Sequence, residues 1–548
     1  KKTDPNPQLD IFTAPSMQLG IRASKKYSDP NAWHNQFYSL VTTKIDEEIF
    51  KPLFPEGKKS GRPNASIRIL VAMSVLKEGF GCSDEDLFEK CEFDLLTRKA
   101  LGMELLTDVT PSIDTYYLFR RRICEYQERT GIDLMQLCFE QLAGKHVHLL
   151  KISGKCVRMD SKLIGSNIAR QSRYELIHTT LVKFLKTCTL THLSPEQEER
   201  AKEYLKEDSS KTVYRSDSDT LQSNLARIGN FIMEMLAVFP ATSPAHDLLL
   251  RLFEEQYVVM DGKAVLRDKK EVKADSLQNP NDPDATYRAK NDQKVQGYVT
   301  NITETVEEGK PNIITSVQVE TAVFADCHFL QEAVENSERV TDSTIEDLYA
   351  DGAYQSPDNR EFAKNHNAMQ LKTGKMQGGC RWELIPHDED GLTVREIATG
   401  NTYEAVKAVT KQGSRKRWRI PWNNKTGWRY FEDKDIKAYQ LRKQIESLPL
   451  EEQHKRNNVE AAMFQYSFHT RKGKTRYRGL LKHRMHAYSR CMWMNLRRMV
   501  IFQISTFQRS IFALFGPIRE AFGSFKAISR KIFTSGADCY VSLRMTTL

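Results

Sequence analysis

The chain has 548 residues, of which 40% are hydrophobic and 28% charged, and its formal net charge is +10. This composition excludes a disordered or fibrous protein and favours a globular one of about two to four domains with an anionic partner. No Cys pair has zinc-ligand spacing, no N-terminal apolar signal is visible, and the late apolar stretch 499–515 is interrupted by polar residues. We therefore expect no structural zinc, no membrane span and a cytoplasmic location.

The first 150 residues divide into an arm and a helical segment. Residues 1–65 are rich in Pro, Asn and Lys, which predicts an extended N-terminal arm leading to a short helix. Ser66 opens an apolar run at helical spacing, Ser83 precedes three carboxylates that suit the first turn of a second helix, and Ser112 starts a third, basic helix. The segment 66–150 suits a DNA-docking module of the helix-turn-helix kind, and it suits a helical packing or dimerisation domain equally well.

Sheet segments begin after residue 150. We predict a strand over 154–160, a helical insertion at about 166–275, two strands joined as a hairpin, a helix, a strand ending at Asp351, and a further helix. Without the insertion, this is the element order of a ribonuclease-H-like core, a mixed α/β fold that we predict for residues 151–500. On such a sheet, the strands that carry Asp160 and Asp351 are neighbours.

A second insertion, at about 370–435, has five alternating segments separated by turns and predicts a small antiparallel β-subdomain. Trp418 and neighbouring Trp residues alternate there with basic residues such as Arg417. Aromatic and basic side chains together can stack on a displaced base and hold its backbone, and core packing of the small sheet is the alternative. We predict a basic C-terminal tail for residues 501–548.

Three acidic residues are candidates for catalysis: Asp160, Asp351 and Glu460. We prefer Glu460 over nearby glutamates because Arg456 lies one helical turn before it and a segment without acidic residues follows it. Three carboxylates without His or Cys at ligand spacing suit Mg²⁺ or Mn²⁺, and two such ions about 3.5–4 Å apart can stabilise both oxygens of a phosphoryl displacement. The alternatives are turn-forming Asp residues and an ordinary Arg–Glu helix pair. Asp326 and His328 precede the helix before the strand of Asp351, where they could cap that helix or support the metal ligands, and we prefer the cap.

Positive charge is concentrated after Glu460. Residues 461–519 contain no Asp or Glu and hold twelve Lys and Arg residues, which exceeds the net charge of +10 of the whole chain. A local basic stripe is typical of phosphate-backbone binding, and a solvated helix face is the alternative. The residues that we expect to contact DNA are Arg456, Arg471, Lys472, Lys474, Arg476, Arg478, Lys482, Arg417 and Trp418.

Several passages, taken in order, resemble bacterial insertion-sequence transposases of the DDE class. They are the helical segment 66–122, Val157–Asn167, Asp282–Tyr287 with Gln296–Tyr298, Tyr349–Tyr354, and Arg456–Glu460 followed by Arg476–Lys482. The resemblance spans about residues 30–500 and is specific as a set. One departure is that some relatives carry a Tyr three residues before the Arg and a Lys seven after the Glu, where this chain has Gln453 and Ser467.

The resemblance implies that Asp160, Asp351 and Glu460 bind two Mg²⁺ or Mn²⁺ ions. It implies that water nicks the element ends and that the freed 3′-hydroxyl attacks target DNA without a covalent protein–DNA intermediate. Double-stranded DNA (the terminal repeats and the target), a homodimer when DNA is bound, and a place at the bacterial nucleoid follow from it as expectations. A metal-dependent nuclease without strand transfer and an inactive, transposase-derived DNA-binding protein stay open as alternatives.

Overall fold

Helices form the N-terminal part of the chain. The structure, a computed structural model, describes residues 14–54, 65–239, 243–290, 293–373, 380–387, 391–408, 417–422, 427–447, 449, 455 and 459–521. The first helices are α1 (Pro15–Gln18), α2 (Ile21–Tyr27), α3 (Trp33–Leu40), α4 (Ile67–Phe80), α5 (Asp84–Phe93), α6 (Leu95–Ala100), α7 (Ile113–Thr130) and α8 (Leu134–Leu150), with 3-10 turns at Thr42–Lys44 and Glu47–Leu53. The predicted extended arm is therefore wrong for residues 15–40, which form helices with Phe37 fully buried. The short helix expected at about 41–52 is present as the two 3-10 turns, the second of which buries Phe50.

Polar caps determine where the predicted helices begin and end. The Ser83 hydroxyl accepts a hydrogen bond from the Asp86 N–H, and the Asp86 carboxylate accepts one from the Ser83 N–H, which makes a capping box at the start of α5. Ser112 caps α7 in the same way through its hydroxyl. Gly81 ends α4 in the left-handed conformation (φ 65°), which glycine adopts without strain.

The first strand and the helical insertion follow. They are β1 (Cys156–Gly165), α9 (Arg173–Leu185), α10 (Pro195–Lys206), α11 (Ser209–Arg215), α12 (Ser218–Val238), α13 (Pro244–Gln256) and the hairpin β2 (Tyr257–Met260) and β3 (Lys263–Leu266). The insertion has an apolar cluster of its own, in which Ile177, Phe231 and Leu252 are fully buried. The predicted helical character holds between Arg173 and Gln256, whereas the hairpin was not predicted.

The main sheet is completed after the insertion. Its remaining strands and the helices between them are β4 (Thr286–Lys290), β5 (Gln293–Thr305), β6 (Ile314–Thr321), α14 (Leu330–Thr341), β7 (Asp347–Ala350), α15 (Pro357–Asn365) and β8 (Gln370–Thr373). The strands are ordered β4-β5-β1-β7-β8, and β6 pairs with the outer edge of β5 beside β4. β5 is antiparallel to β1, β4 and β6, whereas β7 is parallel to β1 and β8.

Most of this sheet follows the prediction. The mixed α/β class, the β5–β6 hairpin and the adjacency of β1 and β7 are confirmed, while β4 and β8 were not predicted. The predicted strand end at Asp160 is wrong. β1 continues to Gly165 because β5 pairs with it over the whole distance from Val157 to Gly165.

The second insertion forms a separate five-stranded antiparallel sheet. Its strands are β9 (Trp382–Pro386), β10 (Leu392–Glu396), β11 (Thr402–Ala408), β12 (Arg417–Trp422) and β13 (Gly427–Glu432), and α16 (Asp433–Glu446) follows them. All five predicted segments are strands. Alternating side chains such as Val394, Ile420 and Phe431 bury one face of the sheet, as the alternation of apolar and polar residues predicts.

One apolar core joins the N-terminal helices to the main sheet. The last helices, α17 (Val459–Ser467) and α18 (Leu480–Ala521), share this core with α3, α4, α8 and with β5 and β6. The predicted division between residues 150 and 151 therefore does not separate two cores. α18 runs past the predicted start of the C-terminal tail at residue 501, and residues 522–548 lie outside the described ranges. None of the described helices is long and apolar enough to cross a membrane.

A buried ion network ties the strands to α18. Glu304 of β5 is fully buried and lies 2.5 Å from the Arg158 guanidinium of β1 and 2.7 Å from that of Arg498. Removing one partner of a buried pair leaves an uncompensated charge and costs about 3–5 kcal/mol. The network therefore fixes β1, the strand that carries Asp160, against β5 and α18.

Candidate active site

Two carboxylates meet where β1 and β7 diverge. The last paired residues of these parallel strands are Arg158 and Tyr349, and continuing the register by two residues places Asp160 opposite Asp351. β7 ends at Ala350, and the Asp351 carboxylate accepts a hydrogen bond from the Gly352 N–H at 2.7 Å. Asp160 accepts one from its neighbour's N–H at 2.8 Å. The sheet thus brings together two of the three predicted acidic residues.

The electrostatics of this pair favour a bound cation. The pKa of Asp160 is raised to about 6, first by burial and then by the nearby carboxylates of Asp351 and Asp326, whereas the Ser161 N–H and the Lys290 ammonium act in the opposite direction. Two carboxylates that repel each other in a poorly solvated place are each better ionised when a cation lies between them. Carboxylate oxygens are also the donors that Mg²⁺ prefers, so these residues fit the predicted metal.

Asp326 belongs to this group of charges. It does not cap the following helix as expected. Its carboxylate accepts hydrogen bonds from the Arg288 guanidinium at 3.1 and 3.4 Å and lies 3.6 Å from the Lys290 ammonium. Both basic residues stand on β4, a strand that the sequence pattern did not reveal, and this is why the interaction was missed.

Helix α17 packs on β1 and carries Glu460 on its exposed flank. The helix buries one stripe of side chains: Val459, Ala462, Met463 and Tyr466. From β1, the Lys162 ammonium donates to the Ser467 hydroxyl at 2.7 Å and to the Met463 carbonyl at 3.4 Å. Glu460 lies on the same helix face as these two residues because they follow it by three and seven positions. Lys162 in turn shares a strand face with Asp160, so α17, the helix that carries Glu460, packs on the side of β1 that holds the first carboxylate.

Glu460 does not form a three-carboxylate cluster with Asp160 and Asp351. Within the described ranges, no three His, Cys, Asp or Glu side chains are grouped closely enough to hold a metal ion. The structure therefore brings Asp160 and Asp351 together and places Glu460 on the adjoining helix.

Comparison with known families gives one result. Residues 26–122 match the family model of a transposase domain (DUF772). This match includes α3 to α6 and most of α7, and it supports a transposase family, which implies a DNA-processing enzyme. No curated protein and no solved structure matches the chain.

The predicted DNA-binding residues of the late basic segment differ in their surroundings. Five of them are exposed: Arg471, Lys472, Arg476, Arg478 and Lys482. The last three line an open cleft against helices of the transposase domain. Lys474 is half-buried, and its ammonium donates to the Ile168 carbonyl at 2.6 Å, which is a structural contact. Arg456 lies outside the described residues.

Other basic residues of this segment neutralise acidic residues within the fold. Arg484 forms an ion pair with Glu320 at 2.5 Å, and Arg498 forms one with the buried Glu304 at 2.7 Å. The concentration of positive charge in the sequence is therefore partly internal, and neither DNA binding nor a solvated face accounts for all of it.

The small sheet corrects one predicted residue. Trp418 is 4% exposed and packs inside the sheet, so its ring is not available to a base, contrary to the prediction. Arg417 lies over the Tyr430 ring at 4.2 Å. Trp428 is an exposed aromatic ring of this sheet, 49% exposed, and the Arg419 guanidinium lies 4.2 Å from its centroid.

Proposed function

We propose that this chain is a DDE transposase that cleaves transposon ends and joins them to target DNA with Mg²⁺ or Mn²⁺ as the cofactor. The observation that carries the proposal is the pairing of Asp160 and Asp351 at the divergence of two parallel strands, with α17 packed beside them. The path β6-β5-β1-β7-β8, three antiparallel neighbours followed by two parallel ones, suits a ribonuclease-H-like core. The transposase-domain match at residues 26–122 supports the same class.

In the proposed reaction, the protein positions and stabilises charge and forms no covalent intermediate. Asp160, Asp351 and Glu460 would hold two divalent ions, which supply stabilisation of the attacking and leaving oxygens of the phosphodiester. Lys162 stands two residues after Asp160 and interacts with its charge, and the ammonium, which has three donors, uses two of them on Ser467 and Met463. The third donor could pair with a phosphoryl oxygen. Lys162 also brings a positive charge to Ser467, the position where some relatives carry a Lys.

Metal-dependent nicking of a supercoiled plasmid tests the site. Asp160→Asn, Asp351→Asn and Glu460→Gln should each abolish nicking while DNA binding in EDTA persists. The matched control is Asp347→Asn at the start of β7. The Asp347 carboxylate pairs with Lys372 at 2.9 Å and should not be required for cleavage. Normal nicking by Asp160→Asn would refute the assignment.

A second candidate is an inactive DNA-binding protein descended from a transposase. The absence of a three-carboxylate cluster from the described ranges favours it. A wild-type chain that binds DNA and never nicks it, with either metal, would establish this alternative. A chain that nicks but does not join precut ends to target DNA would instead be a nuclease, so a strand-transfer assay with precut ends separates the two enzymes.

A further inference from the structure

We infer that the cleft between the transposase-domain helices and residues 476–485 binds the phosphate backbone of double-stranded DNA next to the catalytic carboxylates. This inference rests on the proposed function, since it names where that enzyme would hold its substrate. The cleft is open and has a volume of about 1020 Å³. One wall comes from α7 and the start of α5, and the other from the chain segment that leads into α18.

The charge of the cleft matches a polyanion. Six basic residues line it, Lys77, Arg120, Arg121, Arg476, Arg478 and Lys482, against the two acidic residues Asp84 and Asp114. Asp84 is already ion-paired with the buried Lys77 at 2.5 Å. In the part of the chain that the structure describes, Arg476, Arg478 and Lys482 form no ion pair. Guanidinium and ammonium groups that line an open groove and have no acidic partner are suited to contact a phosphate backbone.

The floor of the cleft is rigid. The Arg120 guanidinium stacks between the rings of Tyr116 and Tyr477, with centroid distances of 5.4 and 5.2 Å. The Tyr477 hydroxyl donates to Glu78 of α4, whose carboxylate also contacts His486 at 2.6 Å. These contacts join the transposase domain to the segment after the third carboxylate, so both walls keep a fixed separation.

The basic wall is attached to the strand that carries Asp160. After β1, the Asn167 N–H donates to the Tyr477 carbonyl at 3.0 Å, and the Arg478 guanidinium donates to the Asn167 carbonyl at 2.7 Å. Asn167 is the seventh residue after Asp160, so an extended chain at about 3.3 Å per residue spans at most about 23 Å between them. Since duplex DNA advances about 3.4 Å per base pair, phosphates in the cleft would lie within about seven base pairs of the cleaved bond.

DNA binding in EDTA tests the cleft separately from catalysis. The triple variant Arg476→Gln, Arg478→Gln, Lys482→Gln removes three charges from one wall. Its matched control, Lys269→Gln, Lys270→Gln, Lys273→Gln, removes three exposed charges after the β2–β3 hairpin. Fluorescence anisotropy with a labelled 30-base-pair duplex is measured at several KCl concentrations, and thermal melting checks that each variant is folded.

A plot of log affinity against log salt concentration has a negative slope, and each lost phosphate contact should make it less steep by about 0.9, so that three lost contacts reduce its magnitude by about 2.7. At 0.1 M salt this corresponds to a loss of affinity of about 100-fold or more, with little change in the control. On the opposite wall, Arg121→Gln should weaken binding about tenfold, whereas Arg129→Gln, two turns further along α7 and outside the cleft, should not.

Equal affinities and slopes for the cleft triple and its control would overturn the inference, and so would tighter binding to an RNA duplex than to DNA. If the wild type nicks DNA while the cleft triple binds normally, the cleft assignment fails and the proposed function stands. If the triple loses binding while the wild type never nicks, the enzyme assignment fails and the cleft stands.

Discussion

Replacing Asp160 by Asn should stabilise the folded chain at neutral pH while abolishing cleavage. The pKa of Asp160 is raised from 3.8 to about 6, mainly by burial and then by neighbouring carboxylates. At about 1.36 kcal/mol per pKa unit, its ionised form therefore costs the native state about 3 kcal/mol. Asparagine keeps the shape and removes the charge, so this cost disappears.

The stabilisation should depend on pH with a defined sign. The folded chain keeps the Asp160 proton up to about pH 6, whereas the unfolded chain releases it near pH 3.8. The free energy of unfolding of the wild type therefore decreases as the pH rises through this window, whereas that of the variant does not. The gain should be absent at pH 4 and complete above about pH 6.5.

Thermal melting of both proteins across this pH range measures the effect. At about 1 °C per kcal/mol for a cooperative unit of this size, the melting temperature of Asp160→Asn should exceed that of the wild type by about 3 °C at pH 7.5 and nearly match it at pH 4. Asp347→Asn loses only the partly exposed contact to Lys372, so its melting temperature should not rise relative to that of the wild type as the pH increases. Equal shifts at both pH values, or a loss at pH 7.5, would refute this account of the site. Mg²⁺ at ten times its dissociation constant should stabilise the wild type by about 1.4 kcal/mol and the Asn variant much less.

Three further substitutions test the surroundings of the site. Glu304→Gln leaves the buried Arg158 guanidinium with an uncompensated charge and should destabilise the protein by about 3–5 kcal/mol, which urea unfolding measures; a change below about 1 kcal/mol would contradict the network. Lys162→Met should reduce metal-dependent nicking at saturating DNA by about 100-fold without lowering the melting temperature, and Lys162→Arg should restore part of the rate; normal nicking by the Met variant would exclude a role in catalysis. Burial lowers the pKa of His146 to about 4, while its hydrogen bond to the Leu40 carbonyl raises it. Because the folded chain holds His146 neutral, the free energy of unfolding is highest above about pH 6.5 and falls by about 3 kcal/mol as the pH drops to 4. The variant His146→Gln should not show this loss in melting curves recorded in acid.

The sequence predicted those parts of the fold whose pattern is local. Turn-punctuated alternation identified all five strands of the small sheet, and a Ser followed by carboxylates identified the start of α5. Strands supported mainly by pairing were missed. β4 and β8 are only five and four residues long, and their place in the sheet depends on β5 and β7 rather than on their own pattern.

The site shows the same division. The pairing of Asp160 with Asp351 could be predicted because strand order alone brings strand-borne carboxylates together. The contacts of Lys162 and Asp326 could not be predicted, since Lys162 binds across to α17 and Asp326 binds an arginine and a lysine on an unpredicted strand. Trp418 was assigned to DNA because its basic neighbours suggested exposure, but alternate residues of a strand face opposite sides, and this ring faces inward.

The shared core joins the helices of residues 26–122 to the main sheet by direct packing. Gly79 of α4 has no room for a side chain because the Trp493 ring of α18 lies where a Cβ would stand. The same ring packs edge-on against Phe80 at 5.4 Å, while α18 also contacts β6. α18 is therefore the common element between the helices that form one wall of the cleft and the sheet that carries the carboxylates. A close-packed helix rather than a linker therefore joins the two parts, and the proposed cleft and Asp160 belong to one packed unit.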